Sequence, residues 1–275
     1  MNILRIIPTL NPVAGGPIEG AHKIDLELSR RGHQVEVVCL DAHEEDFLLA
    51  YPARVHALGS GWLSYRYNPR LVPWLKENRH RFDAVIVNGL WQYHSFGAWR
   101  ALAGTDTPYF VFTHGMLDPW FKREYPFKHL KKWLYWPWAD YRVLRDAKAV
   151  MFTSEEERSL AKTSFWLYQC EEIVTAYGTT RPPLDETGEL SEQFLSANPH
   201  LAGKRLVLFL SRVHQKKGCD LLVEAFAQVA GQHGDLRLVM AGPDQEGWVK
   251  ELKRKAHALG VGELITWSGM LQGDE

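Results

Sequence analysis

With 275 residues the chain is long enough for one large or two medium domains, and 45% apolar against 24% charged residues describe a globular protein with a sizeable core. A net charge of −1 excludes a general nucleic-acid binder, since nothing global attracts a polyanion. Three scattered cysteines, Cys39, Cys170 and Cys219, exclude a disulfide framework or a zinc pair and fit a reducing cytoplasm.

The first residues, Met1 to Pro8, are too short an apolar run for a signal peptide and read as a strand, and no segment has the length of a transmembrane helix. Strand-like runs follow near 34–40, 53–58, 83–88, 108–113, 147–153 and 171–176, alternating with helical periodicity near 17–31, 68–80, 93–103, 127–145 and 154–163. That alternation predicts an α/β domain with a doubly wound parallel sheet over 1–178. Residues 179–203 carry turn chemistry such as Arg181-Pro182-Pro183 and Asn198-Pro199 around one short helix, and read as a linker. A second alternation over 204–275 has strands at 205–210, 235–241 and 263–268 and helices at 218–230 and 245–259. Two such units place ligands at strand ends, in a cleft between two sheets.

Several strand-end loops carry candidate residues. Gly15, Gly16 and Gly20, with Asp41 ending the second strand, superficially match a dinucleotide fingerprint, but Pro17 stands where the second glycine belongs and suits a helix's first turn instead. A dehydrogenase is therefore a weak runner-up. Gly15 and Gly16 are either a side-chain-free edge for a ligand or a plain tight turn. After the strand Ala84 to Val87, Asn88, Trp91 and Tyr93 offer polar and aromatic contacts for an acceptor sugar, or a packed aromatic turn. His114 leaves the end of Tyr109 to Thr113, and Asp118 either orients it or an acceptor, or caps the next helix. Residues 120–146 combine nine aromatic side chains with seven basic and three acidic ones. The mixture suits peripheral contact with an anionic membrane, or else one long helix buried against the sheet.

The densest signal is in the last third. The apolar run Leu206 to Leu210 gives way to Ser211-Arg212-Val213-His214-Gln215-Lys216-Lys217-Gly218, and a helix begins at or just after Gly218. Two cations beside a helix N-terminus suit a diphosphate.

This segment, with Arg212 and Lys217 five apart before Gly218-Cys219-Asp220, resembles the donor-diphosphate motif of family 4 retaining glycosyltransferases of the GT-B fold. Further stretches follow the family's order: the Gly15-Gly16 loop and its helix ending Arg30-Arg31-Gly32-His33, Thr113 to Trp120, Val150 to Arg158, Tyr177-Gly178, Met240-Ala241-Gly242-Pro243 and Ser268-Gly269-Met270. The resemblance implies two Rossmann-like domains facing a cleft, and transfer of a sugar from a UDP- or GDP-sugar to a glycan or lipid-linked acceptor in surface polysaccharide synthesis, at the inner face of the membrane. It places Gly15 and Gly16 near the donor phosphate, and His114 against the transferred sugar. Arg212 and Lys217 lie on the diphosphate, Gly242 and Pro243 along the donor, and Gly269 and Met270 beside the base. It implies no cofactor and no metal, in keeping with the lack of an Asp-x-Asp motif. The family's two glutamates separated by seven residues belong beyond Gly269. Since the sequence ends at Glu275, the resemblance implies a C-terminally truncated member with an incomplete second domain. The alternative from another class is an inactive sugar-nucleotide or glycan-binding remnant.

Overall fold

A computed structural model describes residues 1–175, 178, 187–244 and 246–271. The chain divides into two compact units, Met1–Thr180 and Arg181–Glu275. Tyr177, residues 179–186 of the expected linker and the last four residues lie outside the described residues. Residues 187–203 belong to the second unit and contain the short helix read in that stretch.

In chain order the first unit runs β1 (Asn2–Ile7), α1 (Gly16–Arg30), β2 (Gln34–Cys39), β3 (Arg54–Ala57), α2 (Leu71–Asn78), β4 (Ala84–Asn88), α3 (Tyr93–Leu102) and β5 (Tyr109–Phe112). It continues with α4 (Trp120–Glu124), α5 (Pro126–Tyr135), α6 (Asp140–Arg145), β6 (Ala149–Phe152), α7 (Glu155–Ala161) and β7 (Glu172–Val174). The seven strands form one sheet in the order β3-β2-β1-β4-β5-β6-β7, and every pairing in it is parallel. Both faces are covered, which explains strands that read as continuous apolar runs. Leu4 and Ile6 enter one buried cluster with Val85, Val87, Val111 and Val150, while Ile7 enters another with Val37, Ile18 and Ala21. By the period-two rule Arg5 shares the α1 side with Ile7. Strand order reverses between β1 and β4, the switch point at which doubly wound sheets bind ligands.

The helix expected over 127–145 is broken. A 3-10 turn, Trp136–Trp138, separates α5 from α6, because Pro137 has no N–H for a continuing helix and Ala139 leaves helical geometry at φ −126° and ψ −89°. Helix α5 has no buried residue, so one long helix buried against the sheet is not what forms.

The second unit contains α8 (Glu189–Ala197), β8 (Arg205–Leu210), α9 (Cys219–Ala230), β9 (Leu236–Ala241), α10 (Val249–Ala258) and β10 (Ile265–Gly269). Its sheet is parallel in the order β10-β9-β8. Val223 and Phe226 of α9 and Leu252 and Ala256 of α10 pack with Leu238, Met240 and Ile265 as its core. On β8, Leu206, Leu208 and Leu210 face away from that core and are exposed.

Candidate functional site

Two strand-end clusters carry the candidate chemistry, one in each unit. In the first, Arg5 sits mid-strand in the sheet and is only 1% exposed, a burial that a guanidinium tolerates only when paired. Its Nε donates to both carboxylate oxygens of Asp25 on α1, at 2.9 and 2.7 Å, and its Nη2 also bonds Asp25 Oδ1. The Tyr51 hydroxyl donates to Asp25 Oδ2 at 2.7 Å. The remaining arm of the fork, Nη1, donates to Asn88 Oδ1 at 2.7 Å. Asn88 is buried at the end of β4, and its Nδ2 lies 3.0 Å from His114 Nε2.

His114 holds a left-handed backbone at φ 49°, followed by Gly115 at φ 72°, so the chain doubles back just beyond β5. The ring stacks on Phe112 at 4.8 Å with 11° between planes. Burial pushes its pKa down to about 4, with the charge of Arg5 adding to the effect and that of Glu157 opposing it, so the ring is neutral near pH 7. Glu157 braces this turn. Ser154 caps α7 by accepting from the Glu157 N–H, and the Glu157 carboxylate accepts from Thr113 Oγ1, the Gly115 N–H, and the Thr153 N–H and Oγ1, all at 2.7–2.8 Å. Ser154-x-x-Glu157 is a capping-box sequence whose acid reaches back beyond its own helix. Burial raises the pKa of Glu157, but the hydrogen bonds from Thr153, Thr113 and Gly115 outweigh it and hold the group below the usual range.

The other first-unit candidates divide. Gly15 at φ 86° caps α1, Gly16 opens it, and Pro17 occupies its first turn. No heavy atom lies within 4 Å of a Cβ built on either glycine, so the edge there is open. Asp41 is not placed to hold a ribose: it is buried and accepts from Thr9 Oγ1 at 2.6 Å, the Leu10 N–H at 2.8 Å and Arg66 Nη2 at 3.1 Å. Its carboxylate staples the loop after β1.

Tyr93 is corrected to a core position. It is 5% exposed, with its ring 4.6 Å from that of Tyr67, and presents no platform for a sugar. Trp91 forms the packed aromatic turn, its ring against Phe165 at 5.2 Å and Trp136 at 5.9 Å with Lys132 Nζ 4.4 Å from its centroid. Its backbone N–H and Ser95 Oγ donate to buried Asp140, whose pKa burial pushes up to about 7. Asp118 Oδ1 accepts from the Trp120 N–H at 2.8 Å and so steadies the start of α4.

In the second unit, three strand ends are tied backbone to backbone. The Ser211 N–H donates to Ala241 O at 3.1 Å, the Val213 N–H to Pro243 O at 3.0 Å, and the Gly242 N–H to Gly269 O at 2.7 Å. A Cβ on Gly242 would lie 1.9 Å from Ser211 O, so only glycine fits there. Its role in the frame is this close backbone contact, a reason different from making room for a donor. Arg212 is exposed next to buried Val213, and Lys217 is exposed in a 3-10 turn, Gln215–Lys217. Gly218 at φ 64° then starts α9. Met270 is exposed just beyond Gly269. The arrangement presents two cations near a helix N-terminus, whose partial charge favours an anion. His214, which the sequence reading passed over, accepts from the Lys216 N–H at 3.1 Å through Nδ1 and lies 3.4 Å from Glu246 through Nε2. Among the described residues no cluster of His, Cys, Asp and Glu has the form of a metal site.

The geometry agrees with what the chain is similar to. The glycosyl transferase 4-like domain model matches residues 15–167, and the model of glycosyl transferases group 1 matches residues 191–275. Among solved structures, Anabaena HepE in complex with UDP is 20% identical, with the alignment covering 100% of this chain and 70% of that one at a TM-score of 0.68. Sucrose-phosphate synthase from Thermosynechococcus elongatus is 16% identical, covering 99% and 71% at a TM-score of 0.68. WaaG, a glycosyltransferase involved in lipopolysaccharide biosynthesis, is 14% identical, covering 99% and 70% at a TM-score of 0.58. A search of curated proteins returned no match. A loop without the dinucleotide fingerprint and an Asp41 engaged in its own loop leave the dehydrogenase reading without support. The chain belongs to the glycosyl transferase 4-like family, with a group 1 glycosyltransferase second unit and the GT-B fold.

Proposed function

We propose that this protein is a retaining glycosyltransferase that moves a sugar from a UDP- or GDP-sugar to a glycan or lipid-linked acceptor in surface polysaccharide assembly. The observation that carries the donor half is the exposed pair Arg212 and Lys217 beside the start of α9, in the unit that matches glycosyl transferases group 1. Structures of HepE with UDP and with UDP-glucose support a nucleotide donor of this class. The two cations and the helix end stabilise the departing diphosphate as its charge develops, with no metal in the proposed step. His114 hydrogen-bonds a hydroxyl of the transferred sugar. With its pKa near 4 it is too weak a base to take the acceptor proton at neutral pH, which favours front-face attack assisted by the leaving phosphate.

Calorimetric titration with UDP, GDP and their sugars tests the donor site. Each charge-assisted contact contributes about 1.5–3 kcal/mol, so Arg212→Ala with Lys217→Ala is expected to weaken binding roughly a hundredfold or more. A folded chain that binds none of these ligands overturns the reading. Binding without transfer or donor hydrolysis supports the inactive remnant instead.

The surface of α5 favours membrane contact as part of the same function. Phe127, Leu130 and Leu134 are exposed at helical spacing, Phe127 at 87%, and exposed Lys128 and Lys131 stand among them, while Lys132 folds back over the Trp91 ring. Among the described residues no helix is long and apolar enough to cross a membrane. Flotation with anionic phospholipid vesicles should recover the protein, zwitterionic vesicles should not, and replacing Lys128 and Lys131 by glutamate should abolish recovery, each lysine being worth about 1 kcal/mol at such a surface. Equal recovery with both vesicle types sinks the assignment.

A further inference from the structure

The buried chain of donors at the end of β4 dictates more than the position of His114. A guanidinium has donors only, so Arg5 Nη1, 2.7 Å from Asn88, selects the amide orientation in which the oxygen faces Arg5. The reverse orientation would set the amide NH2 against a guanidinium N–H. The NH2 therefore faces His114 Nε2 at 3.0 Å and needs a lone pair there. An imidazolium has none, and neither has the tautomer protonated on Nε2. The neutral ring with its proton on Nδ1 is the form that accepts this bond.

We propose that Arg5, acting through Asn88, is a positioning residue that holds His114 as the neutral tautomer protonated on Nδ1, so that the ring presents a fixed N–H donor. Everything upstream of Asn88 is arranged to keep the guanidinium still. Asp25 takes two arms of the fork and is itself held by the Tyr51 hydroxyl. His94, fully buried, donates from Nε2 to the Asn88 backbone oxygen at 2.7 Å and fixes the main chain at that residue. Phe112 holds the plane of the His114 ring by stacking. Charged groups acting on that ring include Arg5 from β1, which disfavours its protonation, and Glu157 from α7, which favours it. The consequence for sugar transfer rests on the reading of His114 given under Proposed function; the tautomer itself does not.

Long-range proton–nitrogen correlation spectra of the 15N-labelled protein, with the His114 signals assigned from a His114→Asn sample, read the tautomer without donor or acceptor. The wild-type ring is expected to carry its proton on Nδ1 and to remain neutral down to about pH 4. In Asn88→Asp a carboxylate of the same shape accepts from Arg5 and from His114 alike. The proton then appears on Nε2 and the midpoint rises by about 1–3 pH units. Arg5→Met, which removes the selector, should give a mixture of tautomers. The conservative Asn88 variant keeps the test open where the Arg5 variant fails to fold. A wild-type ring protonated on Nε2, or a midpoint unmoved by Asn88→Asp, overturns the proposal. Failure of nucleotide binding in the calorimetric titration leaves these spectra untouched, so the two readings fail separately.

Discussion

The strand ends of the two units are held by different means. In the first unit, side chains from β1, α1, β4, β5 and α7 hold one another: Arg5 on Asp25 and Asn88, Asn88 on His114, Glu157 on the His114 turn. In the second, the backbone holds the frame through Ser211, Val213 and Gly242, and Arg212 and Lys217 stand exposed upon it. The first arrangement couples chemistry to folding, since the groups that would touch a sugar are also core hydrogen bonds. The second leans on the main chain, because backbone hydrogen bonds tie its strand ends together.

Breaking the comparison starts with Asp25→Ala, which leaves Arg5 buried and unpaired. It should destabilise the first unit by about 3–5 kcal/mol, read from denaturant unfolding. A loss below about 1 kcal/mol would mean that the network is decoration rather than support. Arg212→Ala with Lys217→Ala is expected to do the opposite, leaving the thermal midpoint within about 2 °C while removing nucleotide binding. Gly242→Ala sharpens the point. Its Cβ collides with Ser211 O and its φ is 143°, so a cost of about 2–4 kcal/mol confined to the second unit is expected. Gly269→Ala, at φ 73° with open space around it, should cost only about 1–2 kcal/mol. Equal costs at the two glycines would show that backbone conformation, and not the close contact, sets the price.

Much of the fold is legible in the sequence because apolar runs bounded by turn residues report parallel strands directly. Pro17 in the first turn of α1 and the start of α9 just after Gly218 are read correctly from local chemistry alone. The helix over 127–145 fails because aromatic periodicity outweighs Pro137 in the reading, whereas the missing N–H decides in the chain. Tyr93 and Trp91 mislead for a general reason: an aromatic side chain after a strand serves core and ligand equally well, and only its neighbours tell which. Arg5 is the omission with a visible signal. A lone charge amid Ile3-Leu4 and Ile6-Ile7 in a strand covered on both faces must be paired, and that alone asks for a partner such as Asp25 in the next helix. The identity of the partner and the link through Asn88 to His114 depend on register between β1 and β4, which one sequence does not specify.

The leucines of β8 govern how the second unit behaves in a test tube. Leu206, Leu208 and Leu210 form an alternating apolar row on a strand that ends the sheet order among the described strands, so an unpaired backbone edge and an oily face coincide. Salts excluded from protein surfaces strengthen apolar association, so sulfate- or phosphate-rich buffers draw molecules together at this row first. Low-salt buffer is therefore expected to keep this chain dispersed, and sedimentation across a sulfate series checks it.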